Sequence, residues 1–305
     1  MPPDARVTGP SDLELATLDL ATPAGVRAAL AAAGLRLRPS RGQHFLVNRR
    51  VLDKLIEVAD VGAYDVVLEV GAGIGTLSVA LARTGARVVA VEVDARFVPV
   101  LRAACAPYPR VHIIHADAMD LPLEALAAAP TMVVANLPYS IASPLLIKLL
   151  DEQIGRRLVV MVQEEVADRI VARSGGKRYG LLSVAVQSQA HPTVAMRVPP
   201  SAFFPPPKVR SAVVTLEVHD RPVLSKTQMP VLRAVTRAAF GQRRKMLRSA
   251  LQRVGDGLTA AAVETWCRAA GIDPRRRGES LSVDEFAGLA RTFVERENED
   301  PGRRA

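Results

Sequence analysis

At 305 residues the chain has room for one large domain or two of ordinary size, each with an ample core. A hydrophobic content of 49% with 4% aromatics suits an Ala-, Val- and Leu-rich α/β protein, and a formal charge of +9 favours a polyanionic partner, although a membrane surface or simple solubility fits it too. Cys105 and Cys267 offer neither a disulfide framework nor metal-ligand spacing, so both read as small apolar packing residues and no metal is expected.

Residues 1 to about 21 read as a mobile leader. They lack a positive n-region before an apolar core, which speaks against a signal peptide. No apolar run reaches bilayer length, so a cytoplasmic protein that does not engage a membrane is expected. Thr22-Pro23 supplies a capping hydroxyl and a helix-starting Pro, and Gly34 supplies a stop, which predicts a helix over 23–33. A basic, non-periodic segment follows, from Leu35 through Gly42-Gln43-His44-Phe45-Leu46 to Asn48, and then a helix over roughly 49–60.

Strands then alternate with helices. Strand 66–70 runs into Gly71-Ala72-Gly73-Ile74-Gly75 and a helix to about 83; strand 87–93 ends at Glu92-Val93-Asp94 before a helix over 95–105. Strand 111–115 ends at Ala116-Asp117, strand 132–135 ends at Asn136-Leu137-Pro138-Tyr139, and a helix over 143–152 leads to strand 158–162. This spacing predicts a parallel, doubly wound sheet with ligands at the carboxyl ends of its strands. Apolar runs 181–190 and 211–218 read as closing strands of the same sheet, as an antiparallel pair. After about residue 220 the period becomes helical, and residues 221–305 carry 17 Lys/Arg against 10 Asp/Glu. The charged tail 295–305 is expected to fray. The organisation is therefore 1–34 leader and short helix, 35–220 catalytic α/β domain, and 221–305 basic helical domain.

The glycine turn has the spacing G-x-G-x-G, not that of the dinucleotide fingerprint, and it follows the acidic Glu69. That pattern suits a cofactor without phosphate. Glu92 is placed to accept both hydroxyls of a ribose and Asp117 the amino group of an adenine, although each alone also fits a solvated strand end. Together they point to S-adenosyl-L-methionine and a Rossmann-like methyltransferase sheet. Asn136-Leu137-Pro138-Tyr139 offers a flat amino-bearing base two carbonyl acceptors, a rigid turn and a π-face, while Asn and Pro are also ordinary turn residues.

Four segments in this order, Gly42–Leu46, Gly71–Gly75, Asn136–Tyr139 and Phe203-Phe204-Pro205-Pro206-Pro207-Lys208-Val209, give the chain a specific resemblance to the ribosomal RNA adenine dimethyltransferases. Within that family it looks like the bacterial group that modifies small-subunit RNA. The resemblance covers about 35 to 292, including Phe240–Leu247 and Glu279–Ser282. It implies that His44, Leu46, Gly71, Glu92, Asp117 and Asn136 bind S-adenosylmethionine. It also implies transfer of two methyl groups to N6 of each of two adjacent adenines near the 3′ end of 16S rRNA, by a monomer acting on the small subunit or its precursor. Asn136 and the Leu137 carbonyl then hold the amine, Pro138 fixes the turn, and Tyr139 and Phe203 sandwich the extruded base. A core position for Phe203 is the competing reading. Departures from the family pattern are His44 where Asn is frequent, Arg210 where Asp is frequent, and the leader.

Arg233, Arg237, Arg243, Arg244, Lys245 and Arg248 recur at helical spacing, either as phosphate contacts or as a solvated basic face. Lys177 and Arg178 lie in a flexible basic loop, Ser174–Gly180, that lacks Walker spacing. Lys208 joins these as an RNA contact. His112 and His115 lack partner ligands and read as packing residues. The alternatives are a large-subunit (23S) adenine methyltransferase of the macrolide-resistance type, a non-catalytic ribosome assembly factor, and a protein or small-molecule N-methyltransferase.

Overall fold

The structure is a computed structural model that describes residues 15, 17–37, 43–123, 126, 129–254 and 258–299. Most of the leader, Gly42 with the basic residues just before it, and the last residues of the tail lie outside the described residues.

Helix α1 (Pro23–Ala32) begins where Thr22 Oγ1 accepts from Gly25 N and closes as Leu35 N reaches Leu30 O across Gly34. The two-residue strand β1 (Phe45–Leu46) precedes helix α2 (Arg49–Ala59), which Asn48 caps by accepting from Val51 N. Strand β2 (Val66–Val70), helix α3 (Thr76–Ala82), strand β3 (Arg87–Glu92), helix α4 (Val98–Cys105) and strand β4 (Val111–His115) follow. Next come β5 (Met132–Asn136), α5 (Ala142–Asp151), β6 (Arg157–Gln163), α6 (Glu164–Ile170), α7 (Leu181–Gln187), β7 (Ala190–Val198), β8 (Phe203–Phe204) and β9 (Ser211–Val218).

Seven strands form one sheet in the order β4-β3-β2-β5-β6-β9-β7, and β2 through β6 pair in parallel. Strand order reverses between β2 and β5, so a crevice opens at their carboxyl ends. The central strands are buried on both faces, with Val67, Leu68, Val133, Val134, Val159 and Val160 at 0% exposure. This explains why they read as continuous β-branched runs.

Two expectations change. The run 181–190 is not a strand: Leu181–Gln187 is helix α7, and the strand begins at Ala190. A short continuous apolar run carries no period that separates helix from strand. Here Ser183 decides locally, because its Oγ accepts from Gly180 N and donates to Arg169 O, closing the first helical turn. The true partner of β9 is β7, and the two run in opposite directions: His219 N bonds Gln189 O while Thr215 Oγ1 bonds Thr193 O. The described end of the leader is also packed rather than loose. Leu20 and Ala21 are buried, Leu20 sits with Val26, Ile74, Phe97 and Val100, and Asp19 pairs with Arg49 at 2.5 Å.

The chain divides into two units, one of Met1–Glu164 with Thr193–Leu216 and one of Glu165–Pro192 with Glu217–Ala305. Residues 165–192, which fall inside the expected 35–220 domain, thus group with the second unit. The second unit contains α8 (Met229–Gly241), α9 (Leu247–Ala250), α10 (Ala260–Ala269) and α11 (Val283–Glu299). Its core is built on Trp266, Phe286, Leu232 and Leu247, all at 0% exposure, and Trp266 Nε1 donates to Leu289 O at 3.0 Å. Among the described residues no helix is long and apolar enough to cross a membrane, and no cluster of His, Cys, Asp and Glu could hold a metal ion.

Candidate active site

A cavity of about 440 Å³ sits in the first unit at the carboxyl ends of β2, β3 and β5. The glycine turn forms its floor. Gly71, Gly73 and Gly75 have φ of 77°, 59° and 97°, values that side chains rarely adopt. The approach is as important as the torsion. A Cβ on Gly73 would lie 2.9 Å from Phe45 Cε1, and one on Gly71 would lie 3.2 Å from the Pro138 ring. The turn therefore lets the β1 segment and the loop after β5 close on the same space.

Glu92, 6% exposed, ends β3 with Oε2 accepting from Gly73 N and Oε1 from Asp94 N, both at 2.7 Å. Burial raises its pKa, while the backbone N–H bonds from Asp94 and Gly73 pull it down. Each oxygen keeps a second lone pair, so a carboxylate fixed by the backbone can still accept a diol. Behind it, Glu69 is 2% exposed and accepts from Ser78 Oγ at 2.5 Å. Burial pushes Glu69 up to about 8, against the Ser78 hydrogen bond and helped by the Glu92 charge. Asp117 is exposed on the wall, with Oδ1 accepting from Met119 N at 2.8 Å and its other oxygen uncommitted to that turn.

The opposite wall is the loop after β5. Leu137 N continues the ladder to Met161 O at 3.0 Å and anchors the loop, and Ile141 N bonds Pro138 O at 3.1 Å. Among the described residues nothing donates to the Leu137 carbonyl, and the Asn136 amide has no hydrogen-bond partner. Both residues line the cavity. Tyr139 is tethered by its hydroxyl to Ser211 Oγ at 2.6 Å, and burial raises its pKa against that bond. Its ring faces His44 at 5.9 Å with 27° between planes. His44 Nδ1 lies 2.8 Å from Pro205 O, and a carbonyl only accepts, so Nδ1 carries the proton.

The structure thus brings His44, Leu46, Gly71, Glu92 and Asp117 to one cavity with Asn136, Leu137, Pro138 and Tyr139. It does not bring Phe203 there. Strand β8 pairs with β1 in the register Leu46↔Phe203 and Phe45↔Phe204. Alternation along the strand then sends Phe203 into the core at 3% exposure and leaves Phe204 half-buried beneath the Arg27 guanidinium, 5.0 Å from its ring. The expected sandwich of Tyr139 and Phe203 is absent from this conformation. Sequence reasoning missed Gln43, whose Nε2 donates to Asp94 Oδ2 at 3.1 Å, and Val93, which is 60% exposed on the cavity wall. An apolar residue directly after the acidic end of a strand is the signal that could have found Val93.

None of the basic residues singled out from the sequence lines the cavity. Lys208 is exposed, and its neighbour Arg210 pairs with Glu164 at 3.3 Å. In the second unit Arg237, Arg244 and Lys245 are exposed, and Arg248 sits 3.7 Å from Glu264. Lys177 and Arg178 are exposed on a loop that is held rather than free: Gly175 N bonds Glu279 O, Gly176 N bonds Arg173 O, and Arg243 donates to the carbonyls of Lys177 and Tyr179. His112 and His115 are exposed on the edge strand β4 rather than packed.

The family model for ribosomal RNA adenine dimethylase matches residues 34–293. A ribosomal RNA small subunit methyltransferase A from Geobacter metallireducens is 42% identical over 86% of this chain and 97% of its own length. The protein of that name from Geobacillus thermodenitrificans is 40% identical over 90% of this chain and 97% of its own. Among solved structures, a dimethyladenosine transferase from Plasmodium falciparum superposes with a TM-score of 0.67 at 26% identity, covering 83% of this chain and 97% of that one. The 23S rRNA methyltransferase ErmE shares the fold, with a TM-score of 0.60 at 22% identity over 82% of this chain and 99% of its own.

Proposed function

The chain belongs to the ribosomal RNA adenine dimethylase family, and from that premise we propose that it dimethylates N6 of two adjacent adenines near the 3′ end of 16S rRNA in the small ribosomal subunit. It is a methyltransferase that draws on S-adenosyl-L-methionine. The residues present fit that cofactor: a glycine turn with φ values that side chains rarely adopt, a backbone-held carboxylate at Glu92 and a second carboxylate at Asp117. When bound, the cofactor supplies an electrophilic sulfonium methyl.

The observation that carries this reading is the pair of acceptors at Asn136 and Leu137, without partners among the described residues and bordering the cavity beside Gly71. An aryl amine is a poor nucleophile because its lone pair is delocalised into the ring. Accepting both N–H bonds lets the nitrogen pyramidalise and strengthens as charge develops on it, so the stabilisation is differential. Alignment of the two reactants supplies roughly 7–11 kcal/mol. Pro138 and the Leu137 ladder bond fix the loop, and Tyr139 offers its face to the base. The reaction needs no strong base before attack, because the proton leaves readily once nitrogen becomes cationic.

The finer parts of the proposal are a monomeric enzyme, working in the cytoplasm on the subunit or its precursor, with catalysis in the strand-rich unit and RNA contact in the basic helical one. Mapping tritiated methyl groups onto undermethylated small subunits tests the reading. Label on the two adjacent adenines is expected, and label confined to large-subunit RNA would overturn it. Light scattering on the purified chain tests the monomer.

A further inference from the structure

The second unit holds a recess of about 490 Å³ bordered by Glu165, Arg169, Lys177, Arg178 and Arg243, four cations against one carboxylate. One of the four differs from the rest. Arg243 follows helix α8 and, although exposed, aims its guanidinium at the loop, with Nη1 donating to Lys177 O at 3.3 Å and Nη2 to Tyr179 O. Its Cζ also lies 5.8 Å from the Phe240 ring, which meets the buried Tyr179 edge-on at 5.7 Å. A planar fork suits two carbonyls two residues apart in a turn, and an ammonium cannot reproduce it. Gly175 N on Glu279 O at 2.7 Å and Gly180 N on Ser183 Oγ at 3.1 Å pin the two ends of the same loop. The centre of the loop, which carries Lys177 and Arg178, is held by Arg243.

We propose that Arg243 is a positioning residue that docks the loop 174–180 onto the helical unit, so that Arg169, Lys177 and Arg178 form one preformed recess for a phosphodiester of the RNA substrate. Asp168, 3.6 Å from Arg178, and Glu165, which also lines the recess, offset part of the repulsion among the cations and disfavour a second anion. Preorganisation is the gain: the ordering cost of a glycine-rich loop is met by protein contacts before RNA arrives. The inference rests on the RNA substrate of the proposed function, but its first readout needs no RNA.

The test compares the full-length protein with R243K, R243Q and the double variant K177Q/R178Q. Hydrogen exchange of the Gly175–Gly180 amides is expected to rise about 10-fold or more in both R243K and R243Q, reporting local opening. Both should weaken binding to undermethylated small subunits alike, and adding K177Q/R178Q to R243K should cost little more. K177Q/R178Q alone replaces two exposed side chains. It should leave loop exchange unchanged and lower the slope of log affinity against log salt by roughly 0.7 to 0.9, one phosphate contact. R243K that keeps wild-type exchange and binding would make Arg243 a plain charge contact and overturn the clamp. An unchanged salt slope in K177Q/R178Q would overturn the recess, and this arm decides if the Arg243 variants unfold. A wild-type protein that ignores small-subunit RNA while R243K still loosens the loop would sink the proposed function and leave the docking role standing.

Discussion

Glu92 in the cavity is 6% exposed and has both oxygens on named backbone donors, whereas Arg237, Arg244 and Lys245 on the helical unit stand in solvent. A single unit charge, of either sign, serves two different purposes. A buried carboxylate is worth keeping only with fixed partners, because each ion taken from water costs several kcal/mol. An exposed arginine costs almost nothing and works by number, since a polyanion sums contacts over many phosphates. The cavity should therefore fail sharply at single atoms, and the basic surface should fail gradually. Arg243 departs from those three, being a cation fixed on two backbone carbonyls.

The sharpest way to break this contrast is Asn136→Ala. Removing one of two acceptors aimed at the developing charge should lower methyl transfer by about 10²–10³-fold. Cofactor affinity, measured by calorimetry, should change far less, because Glu92 and Asp117 do not depend on that amide. Unchanged turnover would mean the Asn136 loop does not orient the amine. Glu92→Gln comes next. It keeps the shape but loses a charge-assisted acceptor and turns a donor toward Gly73 N or Asp94 N, so cofactor Kd should rise by about 10- to 100-fold. A fully retained affinity would show that the ribose is held elsewhere.

The parts of this site that could be read from sequence are those where local chain geometry and chemistry coincide. Gly71, Glu92, Asp117 and Asn136 each stand at the carboxyl end of a strand, and a parallel sheet gathers such ends by construction. Phe203 shows where this stops. Which of two adjacent phenylalanines faces inward is set by the register with β1, over 150 residues earlier, and neither residue carries that information. Residues 181–187 fail for a different reason, because a short, mostly apolar run has no clear period, and the Ser183 bonds that close the first turn reach Arg169, fourteen residues earlier. Arg243 looked like its neighbours Arg244 and Lys245, since spacing along the sequence reveals neither that all three follow the end of α8 nor that the partners of Arg243 are the carbonyls of Lys177 and Tyr179.

Glu69 sharpens the cavity side through pH. Its folded pKa of about 8 lies above the ordinary 4.5, so the folded state holds a proton that the unfolded chain releases above that ordinary value. Stability from this group is therefore complete at low pH and lost as pH rises toward 8, at about 1.4 kcal/mol per pH unit. Glu69→Gln keeps an acceptor for Ser78 and has no proton to lose. Urea titrations between pH 5 and 8 should show the wild type falling relative to the variant, with the gap levelling beyond 8. Parallel curves would mean that Glu69 is ionised in the folded protein.

The smallest effect is expected on the other side of the comparison, and its smallness is the point. Arg244 is exposed, and no shift in the cavity should follow its removal. Arg244→Ala should weaken small-subunit binding by only about 2- to 5-fold at moderate salt and lower the salt slope by about 0.7 to 0.9, one phosphate contact. Its rate at saturating RNA should equal that of the wild type, since an interaction made equally in ground and transition states does not touch the chemical step. Arg243→Lys, one residue away and without loss of charge, is expected to cost more than Arg244→Ala. If the order is reversed, the two cations are interchangeable, and the difference between a summed charge and a fixed one does not hold on this surface.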